Sequence, residues 1–185
     1  DPASGNVLWE YDIGYWAFGD LAIDAQGDLV CTSSNDTIYL LDYKHGGIKW
    51  KTVAGRDGHS VTDGSDNLYS TQANRGTQRI DLSNGNLLNV LVPIYDLSIG
   101  ENGHLFSVLY ANPAQTRISS YYPDGSVVWE TAIEQLHSGP ILLGDKEVIV
   151  FNSSQVIKII GDTKLATSGW PTKGHDNRNT NNWNK

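Results

Sequence analysis

The chain has 185 residues, 39% of them hydrophobic, and a formal net charge of −8 from 13 Lys and Arg against 21 Asp and Glu. That length and apolar fraction suit one buried core, and the acidic balance argues against the clustered basic footprint that nucleic acid requires. The apolar runs have strand length and fall well short of the ~20 residues that cross a bilayer as a helix, so no membrane insertion is expected. The lone Cys31 excludes an internal disulfide.

In chain order, the first segment, 1–13, contains Gly5-Asn-Val-Leu-Trp9. With no methionine in the chain, Asp1 is not a translation start, and a leader or earlier sequence is expected upstream. Residues 18–50 then offer short strand-like runs at 20–24, 29–33, 37–42 and 48–53, the last carrying Gly46-Gly-Ile-Lys-Trp50. The same design returns in 57–89, ending in Gly85-Asn-Leu-Leu-Asn89, and in 94–129, ending in Gly125-Ser-Val-Val-Trp129. A fourth unit covers 138–170 and ends at Trp170, its own fourth strand poorly defined between Leu165 and Trp170, where the orphan outer strand in 1–13 is expected to complete the blade or to meet a partner; 171–185 forms a polar tail. The fixed positions 9, 50, 89 and 129 are 41, 39 and 40 residues apart. Self-similarity at about 40 residues, with Gly, Asn and Asp breaking short strands, predicts an all-β propeller of about four four-stranded antiparallel blades. No 3.6-residue apolar period is long enough to predict a helix. The glycines supply the positive φ of a tight turn, and each tryptophan that follows is placed on an outer strand, filling space between adjacent blades.

The stretch from Thr32 to Trp50, reading Thr-Ser-Ser-Asn-Asp-Thr-Ile-Tyr-Leu-Leu-Asp-Tyr-Lys-His-Gly-Gly-Ile-Lys-Trp, resembles the repeat of PQQ-like (quinoprotein-type) β-propellers. Residues 119–129 match with Tyr121 where that family usually has aspartate, and Ser168-Gly-Trp-Pro with the following His175-Asp176 and Asn179-Thr180 resembles a chain-end segment of bacterial and archaeal members. The resemblance implies a ring that usually closes with eight blades, so further blades are expected from additional sequence or a second copy. The family's enzymes use pyrroloquinoline quinone with calcium, several of them with adjacent cysteines beside the cofactor. One cysteine leaves that pair missing, and no cofactor is expected, calcium remaining a candidate ion.

Catalytic motifs of other kinds are missing: no Gly-x-Ser-x-Gly, His-Glu-x-x-His, phosphate-loop or Cys-x-x-Cys sequence is present. Asp24 and Asp63 recur after the first strand of successive units, which favours a turn role over acid/base catalysis, and Asp145, Glu147 and Asp162 read as solvated turn charges. Aligning Leu29, Leu68, Leu105 and Val148 brings Asp20, His59, Asp96 and Gly139 into one column near the start of each first strand. In a propeller that strand lines the central channel, so Asp20, His59 and Asp96 are candidates to hold a cation or polar ligand at its mouth. A channel lined by unrelated solvated polar residues is the alternative. Tyr15, Trp16, Tyr95, Tyr110, Tyr121 and Tyr122 are candidates for a recognition patch.

The leading expectation is a noncatalytic scaffold or interaction module working outside the cytoplasm, in the periplasm, at the cell surface or secreted, with a protein or polysaccharide partner. Two readings stand beside it: a fragment of a quinone- or metal-dependent oxidoreductase, and a ligand-sensing domain of a signalling protein.

Overall fold

The computed structural model describes residues 4–54, 59–72, 76–91, 95–110, 116–136, 141–142, 146–169 and 171; the side chains of 18–20, 72, 95, 110 and 141–142 are outside the description. The described residues are all-β, in fifteen strands and four sheets. The first sheet comprises β1 (Ala17–Ile23), β2 (Leu29–Ser33), β3 (Thr37–Leu41) and β4 (Ile48–Val53). The second holds β5 (Ser60–Thr62), β6 (Asn67–Gln72), β7 (Gly76–Asp81) and β8 (Leu87–Val90). The third holds β9 (Tyr95–Ile99), β10 (Leu105–Tyr110), β11 (Thr116–Tyr121) and β12 (Val127–Ala132). The fourth holds β13 (Ile141–Leu142), β14 (Glu147–Phe151) and β15 (Val156–Ile160). Each is an antiparallel meander in sequence order, and the first strands lie side by side, β1 beside β5 and β5 beside β9. This is the blade arrangement expected from the repeat.

A strand turns alternate side chains to opposite faces, and in a stack of sheets both faces find a neighbour. On the first blade Val30, Ile38, Leu40 and Trp50 pack with Leu68, Ile80 and Leu82 of the second. The opposite face places Leu29, Cys31, Tyr39 and Leu41 against Ile13. Val61, Tyr69 and Leu91 join the second blade to Leu97, Leu105 and Tyr121 of the third. Phe106, Val108 and Ile118 join the third to Val148, Val150, Ile157 and Ile159 of the fourth. Among the described residues the hydrophobic core thus comprises three seams between sheets, each made from residues of two repeats, and a fourth cluster on the other face of the first blade against Ile13.

Two details depart from the sequence reading. The fourth unit has three strands among the described residues, because the chain after β15 leaves its own sheet for the third. There Glu101 N–H donates to Lys164 O (2.8 Å), Ala166 N–H to Ile99 O (2.9 Å) and Ile99 N–H to Pro171 O (2.7 Å). The other concerns Tyr121, which is buried in the second seam and pairs with Val127 as Leu41 pairs with Ile48. The turn N–H donates from Gly125 to Tyr122 O, whereas Gly46 and Gly85 reach back to Asp42 O and Asp81 O. The third blade's turn is one residue shorter, so Tyr122, and not Tyr121, occupies the place of the aspartate.

Candidate interaction surface and inter-blade sites

Gly5, Gly46, Gly85 and Gly125 all have positive φ, between 68° and 91°, and three of them also face a neighbouring repeat. Trp50 reaches from β4 to the second blade, where its Nε1–H donates to Leu82 O (2.6 Å). A Cβ added to Gly85 would stand 2.8 Å from the Trp50 ring. Trp9 repeats this one blade earlier: its Nε1–H donates to Tyr43 O (2.8 Å), and a Cβ on Gly46 would stand 2.5 Å from its ring. The glycine therefore does two jobs, turning the chain and leaving a flat seat for the preceding repeat's indole. Where the tryptophan is missing the seat is filled otherwise, Leu91 lying 2.9 Å from the Cβ position of Gly125. Asn89, in the tryptophan slot, keeps a buried Oδ1 with no hydrogen-bond partner.

At the third seam Trp129 Nε1–H donates to the Asp162 carboxylate at Oδ1 (3.1 Å) instead of to a carbonyl. The other oxygen of Asp162 takes Asn102 Nδ2 (3.2 Å) and contacts His104 Nδ1, which in turn lies edge-on to Tyr122. Burial alone would raise the Asp162 pKa, but the hydrogen bonds from Trp129, His104 and Asn102 outweigh it and hold the carboxyl below its ordinary value. Asp162 is thus the polar hub that joins the third and fourth blades. In sequence Asp162 reads as a solvated turn charge; the structure corrects this, because Trp129 and Asn102 donate to its carboxylate across the seam.

The turn aspartates act as turns. Asp24 Oδ1 accepts from Gln26 N–H (2.9 Å) and Asp28 N–H (2.8 Å), and Asp63 Oδ1 accepts from Ser65 N–H (3.0 Å) and Asn67 N–H (3.2 Å). Gly100 takes the same place in the third blade, its N–H donating to His104 O, since a Cβ there would strike Thr163. A cleft of about 320 Å³ opens between the second and third blades, lined by Asp63, Ser65, Glu101, Asn102 and the 166–168 segment.

Of the channel column, Asp20 and Asp96 lie in the bulged parts of β1 and β9, where the ladder shifts register. Asp96 has φ 49° and is half-buried, as is His59, whose N–H donates to Thr71 Oγ1 (3.2 Å). The Asp20 side chain and Gly139 lie outside the described residues, and among those described no three of His, Cys, Asp and Glu are grouped to hold a metal. Trp170, His175 and Asp176 also lie outside them. Tyr15 and Trp16 are 61% and 77% exposed just before β1, Tyr122 is exposed, and Tyr121 is buried. The side chains of Tyr95 and Tyr110 are not described.

Residues 1–91 match the PQQ-type family model described as outer membrane protein assembly factor BamB. Among solved structures the chain is similar to BamB from Moraxella catarrhalis, at 15% identity and a TM-score of 0.65 over 89% of this chain and 55% of that one. The WD40 β-propeller domain of Doa1 matches at 14% identity and a TM-score of 0.55, covering 71% and 45% of the two chains. The C-terminal WD40 domain of Sif2 matches at 12% and 0.60, covering 77% and 45%. No curated protein matches. The chain spans about half the length of these structures. Residues 1–91 carry PQQ-like repeats, and the chain as a whole has the β-propeller fold.

Proposed function

We propose that this chain is a noncatalytic interaction module that works outside the cytoplasm and holds a protein partner on its blade surfaces. The observation that carries the reading is the match of residues 1–91 to the model of an outer membrane protein assembly factor. Consistent with it, the polar groups with unusual surroundings serve turns and seams: Asp24 and Asp63 close hairpins, and Asp162 joins two blades. The adjacent exposed aromatics Tyr15 and Trp16 supply the large, stiff contact area that protein interfaces favour.

The test is binding of an outer-membrane β-barrel precursor, diluted from urea onto the immobilised chain and followed by interferometry. Saturable binding that falls at least tenfold in the Tyr15→Ala, Trp16→Ala double variant is expected. Equal binding by the double variant removes the patch from the proposal. Calcium-dependent alcohol or sugar oxidation with added pyrroloquinoline quinone would replace the module by an oxidoreductase.

A further inference from the structure

After β15 the chain crosses the end of the third blade and reaches the second, and its contacts there centre on one residue. Ile99, the last residue of β9, accepts from Ala166 N–H (2.9 Å) and donates its own N–H to Pro171 O (2.7 Å), while Glu101 N–H donates to Lys164 O (2.8 Å). Gly100 and Leu165 form an antiparallel bridge between these bonds. The incoming segment therefore lies on the edge of β9 that faces away from β10, and the backbone of Ile99 holds it at Ala166 and again at Pro171.

Small residues make the fit. Ala166 enters the seam between the second and third blades, the one with Asn89 in the tryptophan slot, and Leu165 packs on the third seam. Gly169 has φ 74°, and a Cβ there would strike Gly64 N and Thr62 O of the second blade. Thr167 and Ser168 are exposed, and the cleft of about 320 Å³ separates 166–168 from much of the second blade's hairpin at Asp63 and Ser65. The ion pair of Lys164 with Glu101 (3.2 Å) is nearly half-exposed at both partners, and such pairs hold little. What fastens the segment is backbone pairing and close approach, which another peptide with small residues at the same two places can supply.

Lifting the segment away would bare the N–H and C=O of Ile99 and the N–H of Glu101 along one sheet edge. Ile99 and Gly100 are buried, and buried backbone groups demand a partner. A peptide laid along the edge is the partner a sheet accepts.

We propose that the end of β9 is a docking edge for a peptide segment of a protein partner, and that the chain's own segment beginning at Thr163 occupies this edge and keeps it shut. The occupant specifies what fits: a peptide with a small apolar residue over the second seam and a glycine three places on, as Ala166 and Gly169 stand here. A site of this kind presupposes the protein-binding reading above and places one contact of that partner.

The probe is the synthetic peptide Thr-Lys-Leu-Ala-Thr-Ser-Gly-Trp-Pro, the sequence of residues 163–171, with a fluorophore at its N-terminus. Fluorescence polarisation should show saturable binding to the Gly169→Ala chain at least tenfold tighter than to the parent, and none by the same peptide carrying Gly169→Ala. Ala166→Pro deletes the donor to Ile99 O, so it releases the segment by a second route and should act alike. Hydrogen exchange of both variants should show the amides of Ile99 and Glu101 exchanging at least tenfold faster, with β6 and β10 as protected as in the parent. Equal peptide binding by parent and variants, no binding by variants in which those two amides are released, or unchanged exchange in both variants overturns the proposal. Loss of protection reaching β6 and β10 overturns it as well, because the segment would then be part of the core and not an occupant of an edge. The barrel precursor is measured apart from this peptide, so either result can fail while the other stands.

Discussion

At the scale of single residues, the seams turn on a few side chains that tie one repeat to the next. Trp50 is nearly buried and loses both its packing and its bond to Leu82 O on truncation, so Trp50→Ala is expected to cost about 3–5 kcal/mol in urea unfolding. Asn89→Ala, at the equivalent slot, should cost far less, because its Oδ1 already lacks a partner; Asn89→Leu is expected to stabilise by about 1 kcal/mol through removal of that buried polar atom. Asp162 predicts a pH effect whose sign follows from its lowered pKa. A depressed carboxyl contributes stability above its unfolded value, about 3.9, and that contribution is lost as pH falls through the folded value. Urea midpoints of the parent and Asp162→Asn should therefore differ most near neutrality and converge below about pH 4; a constant gap down to pH 2 would show that the charge of Asp162 is not what the third seam uses.

Elements depend on turns, and the turns explain what was readable in the sequence. The Gly-x-x-x-Trp recurrence gave the strand order, the runs 29–33 and 48–53, and the positive-φ glycines, because tight turns and indole seats restrict residue type strongly. The one-residue shortening at Tyr122-Pro-Asp-Gly125 is not legible in the sequence, since a strand one position longer and a turn one position shorter leave the same spacing to Trp129. Pairing of residues 164–166 and of Pro171 with the end of β9 at Ile99 to Glu101 is equally hidden, being a long-range choice of sheet edge that no local pattern encodes. Asp24 shows how local the turn energetics are. Its carboxylate accepts two backbone N–H groups, yet burial raises its pKa, the bonds from Asp28 and Gln26 offsetting only part of the desolvation. Asp24→Ala should lose about 1–2 kcal/mol with those bonds, whereas Asp24→Asn, which keeps an acceptor and sheds the buried charge, should lose less than half of that in the same denaturation assay.

For the whole molecule, the consequence of a core divided into three seams is that each blade is stabilised mainly by its immediate neighbours. Stability in such an array is close to a sum of unit terms and nearest-neighbour interfaces, and the interfaces here are not equal. The first is bolted by Trp50 on Leu82, the third by Trp129 on Asp162, and the second has Asn89 and Leu91 at the corresponding place. Damage to one bolt should then spread to the two blades it joins and fade beyond the second seam. Hydrogen exchange by mass spectrometry tests this directly. Trp50→Ala is expected to lower protection in β3, β4, β7 and β8 while leaving β14 and β15 close to the parent, and Trp129→Ala should show the reverse pattern, with β10, β11, β14 and β15 losing protection and β2 and β3 retaining it. Uniform loss across all fifteen strands in both variants would mean that the sheets unfold as one cooperative unit, and the seam would then be the wrong unit in which to reckon the stability of this propeller.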